Sequence, residues 1–267
     1  IAVNSARACE SVAPSAIRPK TVRGGPFPGL ASRSATPSGT HARWKIGNAN
    51  PSGMTPTIVC AVSPRRTVLP RTLDSLQQQT FRSFEVIMID DSSTDNTREV
   101  AQRYLGDERF NLLQLPDNVG VAGARNAGIA QASGSYICFL DADDWWDERK
   151  LEIQTTWMKN NQCDLSYMDY VRIEDGSGRS LSRVTPPASV NFKTLLKSNF
   201  IGNLTAMIHR RAIGNIRFSK AGHEDYIFWL SVLKNGITAY GVPTQQPLFF
   251  YLVGPGSLSS NKLRAVK

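Results

Sequence analysis

Three aspartates, Asp141, Asp143 and Asp144, stand within four residues, directly after the apolar run "SYICFL" of Ser135–Leu140. Trp145 and Trp146 follow at once. Three like charges this close repel, and the repulsion raises the cost of keeping all of them ionised. A bound divalent cation removes that cost. Oxygen ligands select hard ions such as magnesium or manganese, and one or two carboxylates with substrate phosphates make the usual magnesium shell. The cluster is therefore expected to bind a metal rather than merely to cap a helix. A second acid pair, Asp90 and Asp91, ends the run "FEVIMID". Here an Asx turn or helix cap and a ligand contact are equally good readings. A third acid group, Glu224 and Asp225 in "HEDYIFWLSVLKNG", opens a segment with Phe228, Leu230 and Leu233 at helical spacing. These two acids suit either proton transfer or the positive end of a helix dipole.

The elements that carry these acids alternate in type. From Thr57, "TIVCAV" reads as a buried strand, and "LPRTLDSLQQQ" as a helix with Leu69, Leu73 and Leu76 on one face and Pro70 near its start. "FEVIMID" is a second strand. "SSTDNTREVAQRYL" opens with capping residues and continues as a helix with Val100, Tyr104 and Leu105 on one face. "FNLLQL" is a third strand, "GVAGARNAGIAQA" a small-residue helix able to lie close to a sheet, and "SYICFL" a fourth strand. This alternation predicts a parallel sheet with helices on both faces. Ligands bind such sheets beyond the carboxyl ends of the strands, where strand order reverses. Both early acid groups fall at such ends.

Bulk properties narrow the function. The chain has 267 residues, 41% hydrophobic and 20% charged, and no apolar run long enough to span a membrane. Its net charge is +9, but residues 1–55 carry seven of the basic residues and one acid, so six of the nine net charges belong to them. The body is near neutral and the basic stretch lacks interleaved aromatics, which argues against a nucleic-acid partner. That stretch is rich in Ala, Ser, Pro, Gly and Arg and has no sustained period, so no packed core is expected of it. It has the composition of a transit peptide, although its prolines and glycines interrupt the amphipathic helix such peptides use. A basic arm also suits peripheral contact with anionic lipid. The reading favoured here is an extension foreign to the native protein, with Met54 as the native start. The four cysteines show no metal-type spacing, and Cys60 and Cys138 lie inside strand runs. Buried thiols in a reducing, cytoplasmic setting are expected.

Taken together, "PTIVCAVS", "LPRTLDSLQQQTFRSFEVIMIDDSSTDNT", "NVGVAGARNAGIAQASGSYICFLDADD" and "GHEDYIFWLSVLKNG" resemble glycosyltransferase family 2 from residue 56 to about 262. The resemblance implies the GT-A fold: a Rossmann-like, mostly parallel central sheet with helices on both faces and a smaller acceptor-side subregion. Residues 56–163 would form the nucleotide-sugar-binding half and residues 164–267 the acceptor-side half. It also implies a nucleoside-diphosphate-sugar donor, a divalent cation and inversion at the anomeric carbon. Position by position, Asp91 resembles the acid that binds the nucleotide base, and Arg125 the arginine near the donor phosphates. Asp141 falls nearest the nucleotide, and Asp143 and Asp144 are the metal contacts. Asp225 matches the general base, supported by Glu224 and His223.

Two departures stand out. Ser63 occupies the donor-side position where the family usually has an aromatic that stacks on the base, a loss of about 1–3 kcal/mol by analogy with base stacking. Leu252 stands where an arginine often follows the tyrosine of the closing strand, so a cation facing phosphate is expected to be missing. The Ser257–Asn261 loop reads equally as a closing loop or plain surface. In the acceptor half, "DLSYMDYVRI" reads as one strand, "EDGSGRS" as a turn, and "NFKTLLKSNFIGNLTAMIHRRA" as a short helix and then a strand near Thr205–His209. Trp145 and Trp146 fit either a sugar-stacking platform or core residues beginning the next helix. The expected function is transfer of a sugar from its nucleotide to a hydroxyl of a glycan or lipid-linked acceptor, as in surface polysaccharide assembly. The site would lie in the cytoplasm or at the inner face of the membrane. The alternative is a nucleotide-sugar-binding protein with little catalysis.

Overall fold

The computed structural model describes residues 53–62 and 68–254. Ser63, the 257–261 loop and the extension before residue 53 lie outside them. The elements are β1 (Pro56–Val62), α1 (Leu69–Gln77), β2 (Glu85–Asp90), α2 (Thr97–Gln102), β3 (Phe110–Gln114), α3 (Gly120–Gln131), β4 (Tyr136–Asp141) and β5 (Trp145–Trp146). Then come α4 (Lys150–Asn161), β6 (Leu165–Tyr167), β7 (Tyr170–Glu174), β8 (Ser180–Val184), β9 (Ser189–Val190) and α5 (Phe192–Leu195). A 3-10 turn at Asn203–Thr205 precedes β10 (Met207–His209), α6 (Arg210–Ile213), α7 (Glu224–Lys234), β11 (Ala239–Gly241) and β12 (Phe249–Val253).

The main sheet runs β3-β2-β1-β4-β10-β6-β11-β9. Strands β3, β2, β1 and β4 are parallel neighbours, and β10 is antiparallel to β4 and β6. Strand β11 is again parallel to β6, and β9 closes the edge antiparallel. The expected mostly parallel sheet is therefore present. Its central strands are apolar on both faces because both faces are covered. Ile58, Cys60, Val86, Met88, Cys138 and Leu140 pack with Leu69, Leu73 and Leu76 of α1, Val100 of α2 and Leu151 of α4. The alternate residues Val59, Ile87, Ile89, Ile137 and Phe139 pack with α3 and with Phe228, Trp229 and Val232 of α7. Helix α3 comes very close to β1: a Cβ added at Gly128 would sit 2.4 Å from Val59 Cγ1. This is the close packing its small residues predict.

Three differences from the sequence reading stand out, two of them in a second sheet, β5-β12-β7-β8. The run read as one strand over 164–173 is two. Strand β6 belongs to the main sheet and β7 to the second. The chain changes sheet at Asp169, whose buried carboxylate accepts hydrogen bonds from Arg183 and from Thr244 Oγ1 at 3.1 Å. Trp145 and Trp146 do not begin a helix; they pair with Phe250 and Phe249 of β12, and α4 starts at Lys150. Leu105 leaves the apolar face, because α2 ends at Gln102 and Leu105 is 43% exposed in the following turns. Among the described residues no helix is long and apolar enough to cross a membrane.

Candidate active site

Strand order reverses at β1, whose successor β2 lies on one side and β4 on the other. The carboxyl ends of these strands carry the acids. Asp90 ends β2 wholly buried; its Oδ1 accepts the Ser93 N–H at 2.9 Å and its Oδ2 accepts Arg98 Nε at 2.9 Å. Burial pushes this carboxyl up, but the Ser93 hydrogen bonds and Arg98 together hold it below its ordinary value. Asp90 thus orients the turn after β2, in which Ser92 takes a left-handed φ of 59°.

Asp91 caps α3. Its two carboxylate oxygens each accept a backbone N–H, from Val119 and Gly120, both at 2.8 Å. The carboxylate also faces the positive end of that helix. Each oxygen keeps a lone pair for a further donor.

At the end of β4 the chain turns sharply: Asp144 N–H donates to Asp141 O at 3.1 Å, and Thr72 Oγ1 of α1 donates to Ala142 O at 2.9 Å. This turn separates the three aspartates. Asp141 is half-buried and accepts Arg125 Nη2 at 2.7 and 3.0 Å. Asp143 is half-buried beside it. Asp144 is 1% exposed; its Oδ1 accepts the Leu252 N–H at 3.0 Å, while Oδ2 is buried and has no hydrogen-bond partner among the described residues. Burial first, then the charges of Asp143 and Asp141, push its carboxyl well above the ordinary range.

That orphaned oxygen fits a cation ligand, since a cation would compensate both the burial and the repulsion. Among the described residues no group of three or more His, Cys, Asp or Glu side chains is placed to hold a metal ion. Asp143 and Asp144 are the two that would hold a magnesium-type ion, which commonly takes most of its ligands from phosphate and water.

Arg125, 5% exposed on α3, spans the site. Besides Asp141 it donates through Nη1 to Glu224 of α7 at 3.2 Å, and its guanidinium lies 5.3 Å from the Phe218 ring centre. Burial opposes its charge, but Asp141 and Glu224 more than compensate, so its proton is held more tightly than usual. Asp225, next to Glu224 in the first turn of α7, is half-buried and accepts Asn199 Nδ2 at 3.2 Å. His223 precedes it exposed, with a left-handed φ of 64°. The acid turn and the start of α7 are thus tied together through one buried cation.

The tryptophans divide. Trp146 is core, its indole N–H donating to Leu204 O at 3.1 Å. Trp145 is half-buried, stacked on Phe250 at 5.3 Å, with the Arg71 guanidinium 3.5 Å above its ring centre. Leu252 buries its side chain and gives Asp144 its backbone N–H. The exposed Arg71 is a cation whose charge interacts with Asp175, Asp144 and Asp143. Sequence reading missed Asn199 and Arg71, because nothing in their local context links them to acids distant in the chain.

A mostly parallel sheet with acids at its reversal point and a second acid group on a facing helix defines a GT-A-type sugar transferase. The chain belongs to glycosyl transferase family 2, whose model matches residues 57–218. Among its relatives is the putative teichuronic acid biosynthesis glycosyltransferase TuaG of Bacillus subtilis (strain 168), 37% identical over 216 residues, 79% of this chain and 84% of TuaG. The Escherichia coli UDP-Glc:alpha-D-GlcNAc-diphosphoundecaprenol beta-1,3-glucosyltransferase WfgD is 35% identical over 199 residues, 73% of this chain and 76% of WfgD. The fold resembles that of S. aureus TarS 1-349 in complex with UDP, with a TM-score of 0.64 at 21% identity, over 76% of this chain and 61% of TarS 1-349. This chain therefore spans about three fifths of that structure.

Proposed function

We propose that this glycosyltransferase moves a sugar, with inversion, from a nucleoside-diphosphate sugar to a hydroxyl of a glycan or lipid-linked acceptor. The observation that carries the reading is the Arg125 bridge, which holds Asp141 and Glu224, the residue before Asp225, in one network. Inversion needs the base and the leaving group on opposite faces of the sugar, so one acid group cannot serve both tasks.

In this reading Asp91 and Asp141 hold the nucleoside, and Asp143 and Asp144 hold magnesium or manganese. When bound, that cation neutralises charge on the diphosphate. Arg125 fixes Asp141 and Glu224. Arg71 offers a cation at the mouth where Leu252 brings none. Asp225 accepts the proton of the attacking hydroxyl as its oxygen bonds to the anomeric carbon and the bond to the diphosphate breaks. Such a base is worth about 10²–10⁴-fold in rate. Asn199 orients the Asp225 carboxylate.

The relatives' names support the donor and acceptor classes: WfgD is named for UDP-Glc and a diphosphoundecaprenol-linked acceptor, and TuaG for teichuronic acid. Fold neighbours solved with UDP-GlcNAc, and with GDP-Man and Mn2+, support a nucleotide-sugar site that takes a cation. The free, buried Cys60, Cys138 and Cys163 support action in a reducing, cytoplasmic setting, at the inner membrane face if the acceptor is lipid-linked.

The test is nucleoside-diphosphate release from a panel of UDP and GDP sugars, with and without manganese, for the parent and Asp225→Asn. The expected result is cation-dependent turnover in the parent, a loss of about 10²-fold or more in the variant, and unchanged nucleotide binding. Binding without turnover in both proteins would instead favour a nucleotide-sugar-binding protein.

A further inference from the structure

The segment from Asn199 to Thr205 runs between the two ends of the site. At one end Asn199 Nδ2 donates to Asp225. At the other, Leu204 O accepts the indole N–H of Trp146, two residues beyond Asp144. Between them the backbone is fixed. Thr205 N–H and Oγ1 both donate to Gly202 O, at 2.9 and 2.8 Å, and Thr205 O accepts Gln154 Nε2 at 3.0 Å. Gly202 lies against Tyr170, where an added Cβ would come within 3.2 Å of the ring. Burial pushes the Tyr170 phenol above its ordinary value, and the charges that act on it include both Asp144 and Asp225.

Asn203 occupies the middle of this segment. It is 8% exposed, yet neither its Oδ1 nor its Nδ2 has a hydrogen-bond partner among the described residues. A buried amide left without partners is costly, and native proteins keep few such groups without a use for them. A primary amide can donate and accept at once, which matches a sugar hydroxyl. In the proposed reaction the transferred sugar is the part of the donor that lies between the leaving diphosphate and the attacking oxygen. The segment tied to Asp225 through Asn199 and to Trp146 through Leu204 therefore joins the elements that carry the proposed base and the acid turn.

We infer that Asn203 binds a ring hydroxyl of the transferred sugar and helps to set which nucleotide sugar the enzyme accepts. The inference rests on the proposed sugar transfer. A pocket built to pair a hydroxyl rejects an analogue lacking it, because its own polar atoms are then stranded.

The test uses the full chain, the nucleotide sugar it turns over best, and the singly deoxygenated forms of that donor. For the parent, one deoxy donor should lose about 10- to 100-fold in kcat/KM, the size of one buried hydrogen bond. Asn203→Ala should lose a similar factor on the complete donor and treat it and that deoxy donor alike. Affinity for the free nucleoside diphosphate should stay within about 3-fold, since no hydroxyl of the sugar is present. If Asn203→Ala does not fold, Asn203→Ser, a smaller change, is read by the same ratio. Unchanged discrimination among the donors in the folded variant overturns the inference while leaving sugar transfer intact. So does Asn203→Leu with full, equally selective turnover. A parent that turns over no nucleotide sugar removes both readings.

Discussion

The backbone N–H of Leu252 donates to Asp144 Oδ1 at 3.0 Å, joining the closing strand β12 to the acid turn across 108 positions of sequence. The bond secures one oxygen of a buried carboxylate; the other, Oδ2, has no hydrogen-bond partner among the described residues. Asp144 is therefore held in place by the second sheet, with its other oxygen buried.

Asp144→Asn follows from that arrangement. The amide cannot ionise, so it removes the repulsion from Asp143 and Asp141 and still accepts the Leu252 N–H. In the absence of cation the variant should be as stable as the parent or more so, by about 1–3 kcal/mol, the usual scale for relieving an unpaired buried group. Manganese should no longer raise its melting temperature in the presence of nucleoside diphosphate. Thermal shifts with and without each ligand read both effects, and a clear loss of intrinsic stability would contradict the account.

Arg125→Met removes the cation shared by Asp141 and Glu224. Both carboxylates reach solvent in part, so the expected loss is moderate, about 1–3 kcal/mol in urea unfolding. Turnover should fall by a larger factor than stability alone explains, because the start of α7 loses its tie to the acid turn. Equal folded fractions with near-parental turnover would remove Arg125 from the proposed network.

Gly128→Ala tests the approach of α3 to the sheet. Its new methyl would meet Val59 Cγ1 at 2.4 Å, and Ile89 lies at 3.0 Å on the same side. The helix must shift, at about 1–3 kcal/mol. Arg125 and the capped start at Asp91 move with it, so KM for the donor should rise as well. Gly106→Ala, with nothing within 4 Å of its added carbon, serves as the control.

Lys150 supplies a pH signature. It is wholly buried, its Nζ 3.5 Å from Cys138 Sγ and 3.6 Å from the centre of the Trp146 ring. Burial lowers its amine from 10.5 to about 8, while burial raises the Cys138 thiol. Below about pH 8 folded and unfolded chains both bind the lysine proton. Between about 8 and 10.5 the unfolded chain binds more of it, so this residue's cost to the fold shrinks as pH rises. Lys150→Met should be at least as stable as the parent at pH 7, and its advantage should narrow above pH 8 by up to about 1.4 kcal/mol per unit. An advantage that widens instead would reverse the assignment.

The central sheet was legible because its strands are apolar on both faces and its helices carry clear 3.6-residue patterns, as Leu69, Leu73 and Leu76 illustrate. The acids at strand ends were legible for the same reason: position along a strand decides which end of the sheet a residue reaches. The passage from β6 to β7 was not. Residues 164–173 alternate well enough to read as one strand with a short irregularity at Met168 and Asp169, and the Arg183 and Thr244 partners of Asp169, found far along the chain, hold the chain where it passes to the second sheet. Likewise "WW" has no local preference between core and surface; Phe249 and Phe250, about a hundred residues on, decide it.

Residue type and spacing alone determined which side chains could do chemistry and the kind of sheet that carries them, since periodicity and strand ends are local properties. Which carboxylate is buried with an oxygen lacking a partner among the described residues, and which one caps a helix, were decided only by tertiary structure. Desolvation and hydrogen-bond partnership depend on atoms brought together from distant parts of the chain, and no local pattern encodes them.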